Sequence, residues 1–185
     1  MGIKYFFLVL IYLLAFNQHE LTANDAQETE EASLLQQIFT LKQLKPDIKK
    51  IAVLCQTKNH IEIEQQLGRL QKQTQLEFVL YDIKKLPDVA KSVKDATTYK
   101  DVQVLWIFAD EILLDAKTQS YLINQSMHAK LFLLSVDQEM VKKGGTASVR
   151  KGASKPVIFL NQKAMELLAI SVPVDLTESA EIIKF

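Results

Sequence analysis

From residue 34 onward the chain alternates two hydrophobic spacings. Leu34, Leu35, Ile38 and Leu41 recur at helical intervals, and Pro46 ends that stripe. Lys49 to Cys55 then reads as a short apolar strand of the kind buried in a parallel sheet. Asn59 with Glu62 three residues later predicts a capping box, followed by a helix carrying Ile63, Leu67 and Leu70 up to Gln73. Leu76 to Tyr81 reads as a second strand, and Leu86, Val89, Ala90, Val93 and Ala96 as one helical face with Pro87 in its first turn. Val102 to Phe108 is the most apolar strand and holds the only Trp, Trp106, which alternation turns toward the core.

The alternation continues. A helix from about Asp115 to Ala129 is expected to bury Ala116, Leu122, Ile123 and Met127. Leu131 to Ser135 is a fourth strand, and Glu139 to Lys143 a short helix stopped by Gly144 and Gly145. Thr146 to Val149 and Pro156 to Leu160 read as two late strands, the second leading into a helix capped by Asn161 with Ala164, Leu167 and Leu168 inward. Strand and helix in alternation predict a three-layer α/β sandwich with a mostly parallel sheet, strand order 2-1-3-4 and the late strands at an edge. Ligands in such sheets lie at the carboxyl ends of the strands. Here those ends are Gln56 to Asn59, Tyr81 to Ile83, Ala109 to Glu111 and Ser135 to Asp137.

The first residues follow a different pattern. Lys4 precedes an unbroken apolar run from Tyr5 to Phe16, and small residues follow at Ala23 and Ala26. Crossing a bilayer takes about 20 apolar residues, so the run has the length of a secretory leader rather than a span. The reading is a signal peptide over residues 1–23, cut after Ala23 (or before Gln27), then a flexible acidic linker over 24–32 and one α/β domain over 33–185. The protein is therefore expected in the periplasm or secreted, with the membrane as a partner only if the leader is retained as an anchor.

Composition narrows the chemistry. Lys plus Arg and Asp plus Glu each count 22 and are evenly spread, so no basic face for nucleic acid is expected. The single Cys55 lies in a strand and reads as a small buried hydrophobe. The segment after the first strand, Cys-Gln-Thr-Lys-Asn-His, has no dinucleotide or phosphate-loop glycines. His60 with Glu64 reads as a solvated turn rather than a metal pair, and no Ser lies in a nucleophile elbow. Neither a catalytic constellation nor a cofactor or metal is expected. Among the carboxylates at the strand ends, Asp110 either holds a ligand amine or hydroxyl or caps local backbone, with capping favoured. Thr57 and Asn59 likewise cap a helix or offer donors to an anion.

The order of segments resembles a known family. Leu41 to Leu54 (a leucine-rich helix, Pro46, the pair Lys49-Lys50, an apolar strand) is similar to a passage of ABC-transporter substrate-binding proteins of the aromatic amino-acid-binder type. Val104 to Asp110 resembles that family's strand-then-Asp segment, Val141 to Ala147 its glycine turn, and Lys155 to Asn161 with Val172-Pro173 its tail. The resemblance implies a periplasmic-binding-protein-like, Rossmann-like lobe, and carries ligand contacts onto Thr57, Asn59, Asp110 and Asp137. Family members close two lobes on a ligand, and this chain has residues for about one. It implies a non-catalytic protein recognising a small organic ligand as part of a transport system, with a homodimer supplying a second lobe as one form. The tail also resembles small periplasmic repressors that bind membrane diguanylate cyclases, which implies the alternative of a regulatory or assembly module for a membrane or envelope protein.

Overall fold

The computed structural model describes residues 31–185; the expected leader and most of the expected linker lie outside the described residues. Helix α1 (Leu34–Leu44) starts on a capping box in which Ser33 accepts from the Gln36 N–H and the Gln36 side chain returns to the Ser33 N–H. Strand β1 (Lys50–Cys55) follows, then a single 3-10 turn (Thr57–Asn59), α2 (Ile63–Thr74), β2 (Glu77–Asp82) and α3 (Leu86–Thr98). Next come β3 (Val104–Ile107), α4 (Glu111–Leu114), α5 (Ala116–His128), β4 (Phe132–Ser135) and α6 (Gln138–Lys142). The chain closes with β5 (Ala147–Arg150), β6 (Val157–Leu160), α7 (Gln162–Leu167), α8 (Val174–Ser179) and β7 (Glu181–Lys184).

One seven-stranded sheet runs in the order β2-β1-β3-β4-β5-β6-β7. All neighbours are parallel except β5 and β6. The core divides by strand alternation into two layers. Ile51, Val53, Cys55, Trp106, Phe132 and Leu134 pack on one side, where Ile38 and Leu41 of α1 and Leu67 of α2 meet them. Ala52, Leu54, Leu105, Ile107 and Leu133 pack on the other with Val89 and Val93 of α3 and Leu122 of α5. β1 is buried on both faces because it lies between β2 and β3 under helices on each side, which accounts for its unbroken apolar run.

Trp106 is fully buried, and its indole N–H donates to Gln37 Oε1 at 3.0 Å. The Gln37 amide in turn donates to Ala32 O at 2.9 Å, so one buried glutamine joins the central strand to the start of α1. The isolated bridge between Glu31 and Arg150 ties the same entry segment to β5.

The three-layer α/β sandwich, the mostly parallel sheet and the order of the first four strands follow the hydrophobic pattern. Other expectations are corrected. No capping box forms between Asn59 and Glu62: α2 begins at Ile63 with Glu62 as an N-cap lacking a side-chain bond. Leu86, Ala90, Ala116 and Leu167 face outward, and the one-turn helix α4 precedes α5. The tail adds two further elements, α8 and β7, which place β7 as an edge strand beyond β6.

Candidate functional site

The site is built where β1 and β3 end. Their parallel register pairs Leu54 with Ile107, and the Phe108 N–H still reaches Leu54 O at 3.2 Å. The two chains leave the sheet side by side, which brings Gln56 to His60 against Phe108 to Asp110. Neighbouring parallel strands must both reach the sheet's carboxyl edge, so residues 50 positions apart meet there.

Asp110 is the hub. It is 3% exposed, and its Oδ2 accepts from the Gln56 N–H at 2.7 Å. Oδ1 accepts from the Asn59 side-chain amide at 2.8 Å, and His60 Nε2 lies 3.2 Å from both oxygens. A buried carboxylate survives only when its lone pairs are filled, and these three groups fill them. As N-cap of α4 its side chain makes no bond to that helix; the backbone it serves is the turn after β1. The His60 ring sits edge-on to Phe108, centroids 5.0 Å apart. Imidazole, carboxylate and phenyl therefore fix one another.

Above this cluster opens a cleft of about 500 Å³. Asn59, His60 and Phe108 line it, with Ile61 and Glu62 from the following turn and Glu31 and Ala32 from the entry segment. Ala32 is held by the Gln37 bond from α1, so the buried Trp106–Gln37 contact helps position this part of the lining. Ile61 is 90% exposed, an apolar side chain held in solvent at the mouth.

The four residues marked by the sequence fall in different places. Asn59 and Asp110 are joined directly. Thr57 lies in the turn beside them, and its N–H donates to Asp82 Oδ1 at 3.1 Å. Burial pushes the Asp82 carboxyl up, but the Thr57 bonds and Lys84 outweigh it and hold the group below the usual carboxylate value. Asp137 has its own partners: it caps α6 through the Glu139 N–H at 2.9 Å and accepts from Gln119 at 3.0 Å. His60 and Phe108 were missed as site residues. The signal available for His60 was its position in the turn after β1, but its carboxylate partner is far along the chain.

Burial, then the negative charges of Asp110 and Asp82, push the Cys55 thiol up to about 12, so at neutral pH it is a protonated, buried thiol and no nucleophile. Among the described residues no group of three or more His, Cys, Asp or Glu side chains could hold a metal ion, and no helix is long and apolar enough to cross a membrane.

Residues 24–154 match the ABC transporter substrate binding protein family, well over half of the chain. The chain belongs to that family. Solved structures agree on the fold of this substrate-binding-protein chain. An ABC domain from Streptococcus pneumonia in complex with L-Trp is 18% identical, with a TM-score of 0.68 over 80% of this chain and 61% of that one. A conserved domain protein from Vibrio cholerae is 17% identical, with a TM-score of 0.69 over 84% and 61%. A substrate binding protein with adhesive properties from Clostridium difficile, in its ligand-free open form, is 14% identical, with a TM-score of 0.66 over 83% and 60%. The chain thus spans about three fifths of the length of these structures. No curated protein matches it.

Proposed function

We propose that the protein is an exported, non-catalytic solute-binding domain that takes a small organic ligand in the cleft over Asp110. The observation that carries this reading is that Asn59 and His60, both held by the buried Asp110, line an open cleft at the strand ends. Binding sites of this kind combine apolar walls with a few fixed polar groups. Here Phe108, Ile61 and Ile63 supply the apolar surface, and the locked His60 and Asn59 supply orientation. The rim carboxylates Glu31 and Glu62 suit a ligand that carries an amine. A molecule of amino-acid size fits the volume, in keeping with the L-Trp complex of the Streptococcus relative.

Membership of the family supports placement outside the cytoplasm, with the apolar run from Tyr5 to Phe16 as the export leader. It also supports delivery of the ligand to a transport system. The test is a thermal-shift screen with free amino acids and small organic amines on the protein and on His60→Ala. Stabilisation by one chemical class, lost in the variant, supports the reading; no stabilisation by any compound refutes it.

A second reading is favoured by Ile61. Its 90% exposure beside the cleft suits docking of an envelope protein on the rim. In that case crosslinking from position 61 in cells recovers one specific membrane or envelope protein. Recovery of none sinks this alternative.

A further inference from the structure

The edge of the sheet at β2 lacks the usual protections against pairing. Natural edge strands are shortened, bulged or studded with Lys and Pro. β2 is six residues long, runs Glu-Phe-Val-Leu-Tyr-Asp, and pairs with β1 without a bulge. The other edge strand, β7, has four residues and ends on Lys184. Among the described residues no strand lies on the open side of β2, and its six residues are all half-buried or exposed.

Backbone direction defines what this edge can accept. The Glu77 N–H donates to Lys49 O at 2.8 Å and the Ile83 N–H to Cys55 O at 2.9 Å. Odd-numbered residues of β2 therefore bond inward, and alternation turns the N–H and C=O of Phe78, Leu80 and Asp82 outward. We propose that this edge pairs with β2 of a second copy of the chain, antiparallel about a two-fold axis, to form one sheet through a homodimer. An antiparallel pair exchanges bonds only between two outward residues. The axis must then pass through a residue rather than between two, and the registers that keep most of the six-residue strand paired place it at Leu80 or at Val79. An axis between them would oppose Glu77 to Asp82 of the second copy, and the same alternation excludes it because one of that pair points inward. The permitted registers are thus those without that like-charge contact.

Charge on one flanking helix, α2, fits the same symmetry. α2 and α3 pack on opposite faces of β2. α2 carries Glu64 in its first turn and Lys72 in its last. A two-fold axis sets α2 antiparallel to its own copy, so its acidic start lies toward the copy's basic end. Beside the edge, an unfilled groove of about 560 Å³ between β2 and α3, lined by Tyr81, Lys91 and Tyr99 among others, leaves room for side chains of the second strand.

The test is residue-resolved amide exchange at two protein concentrations, with sedimentation equilibrium, on protein purified from the cells that make it. The proposal expects a dimer whose amides at Phe78, Leu80 and Asp82 are protected at high concentration and exchange at least tenfold faster on dilution. Those of Val79 and Tyr81 should stay protected throughout. Val79→Lys, which puts a charge on the edge, should give a monomer with fast exchange at the same three amides. A monomer at every concentration overturns the proposal, as does concentration-independent protection of the three amides. A dimer that leaves them fast does the same, and these outcomes in the parent chain decide even where the variant fails to fold.

Discussion

Replacing Asp110 with Ala should destabilise the domain well beyond the usual surface substitution, and the structure gives the size. The Gln56 N–H would lose its acceptor at 2.7 Å in a place where Gln56 is 5% exposed; a buried donor left unpaired costs about 1–3 kcal/mol. The Asn59 amide and His60 also lose their partner, but both reach the cleft and can turn to water, adding roughly 1 kcal/mol. The expected loss is about 2–4 kcal/mol. For a domain of this size each kcal/mol moves Tm by roughly 2–4 °C, so a drop of about 5–15 °C follows. Asp110→Asn, which keeps one acceptor oxygen and the shape, should lose less than Asp110→Ala. Urea unfolding checks this: the midpoint should fall with the slope unchanged. A change within about 0.5 kcal/mol for Asp110→Ala would refute the reasoning, because surface groups behave that way and buried hubs do not.

Three further outcomes are expected. Cys55, with its thiol pushed up to about 12 by burial and nearby carboxylates, should resist alkylation at pH 8 in the folded protein and react fully in urea; modification at the rate of a free thiol would show the strand end to be open. Gln37→Met removes the acceptor of the buried Trp106 indole N–H and should cost about 1–3 kcal/mol, read by urea unfolding followed through tryptophan fluorescence. The Thr118 N–H, against the opposing effect of burial and with help from the Lys117 N–H, holds the Asp115 carboxyl below its ordinary 3.8. Its contribution is therefore full above that value and is lost as pH falls through the lower folded value. The stability gap between the parent and Asp115→Ala should accordingly be widest near neutral pH and narrow in acid, and a gap that widens in acid would contradict the sign.

Much of the fold could be read from spacing because its central strands are buried on both faces. Ile51 to Cys55 and Val104 to Ile107 are apolar without interruption, and a run of that length between helical stripes leaves few other readings. The tail was harder. Glu181 to Lys184 has only two apolar residues, Ile182 and Ile183, so its pairing with β6 rests on tertiary contact rather than local pattern. Asn59 shows how the site escaped local rules. Its spacing to Glu62 suggested a cap, but its amide donates to Asp110, 51 residues away, and α2 starts at Ile63. His60 looked like a solvated turn for the same cause: its carboxylate comes from another strand end. Asp110 stood out as a carboxylate at the right edge, yet its service to the Gln56 backbone could be seen only once β1 and β3 were set side by side.

The central claim is that the cleft over Asp110 holds a small molecule. Native mass spectrometry of the protein purified gently from its own cells, beside His60→Ala prepared the same way, tests this most directly. A small organic mass that accompanies the parent and is absent from the variant is the predicted result. Bare protein in both preparations, or the same mass retained by His60→Ala, would contradict it.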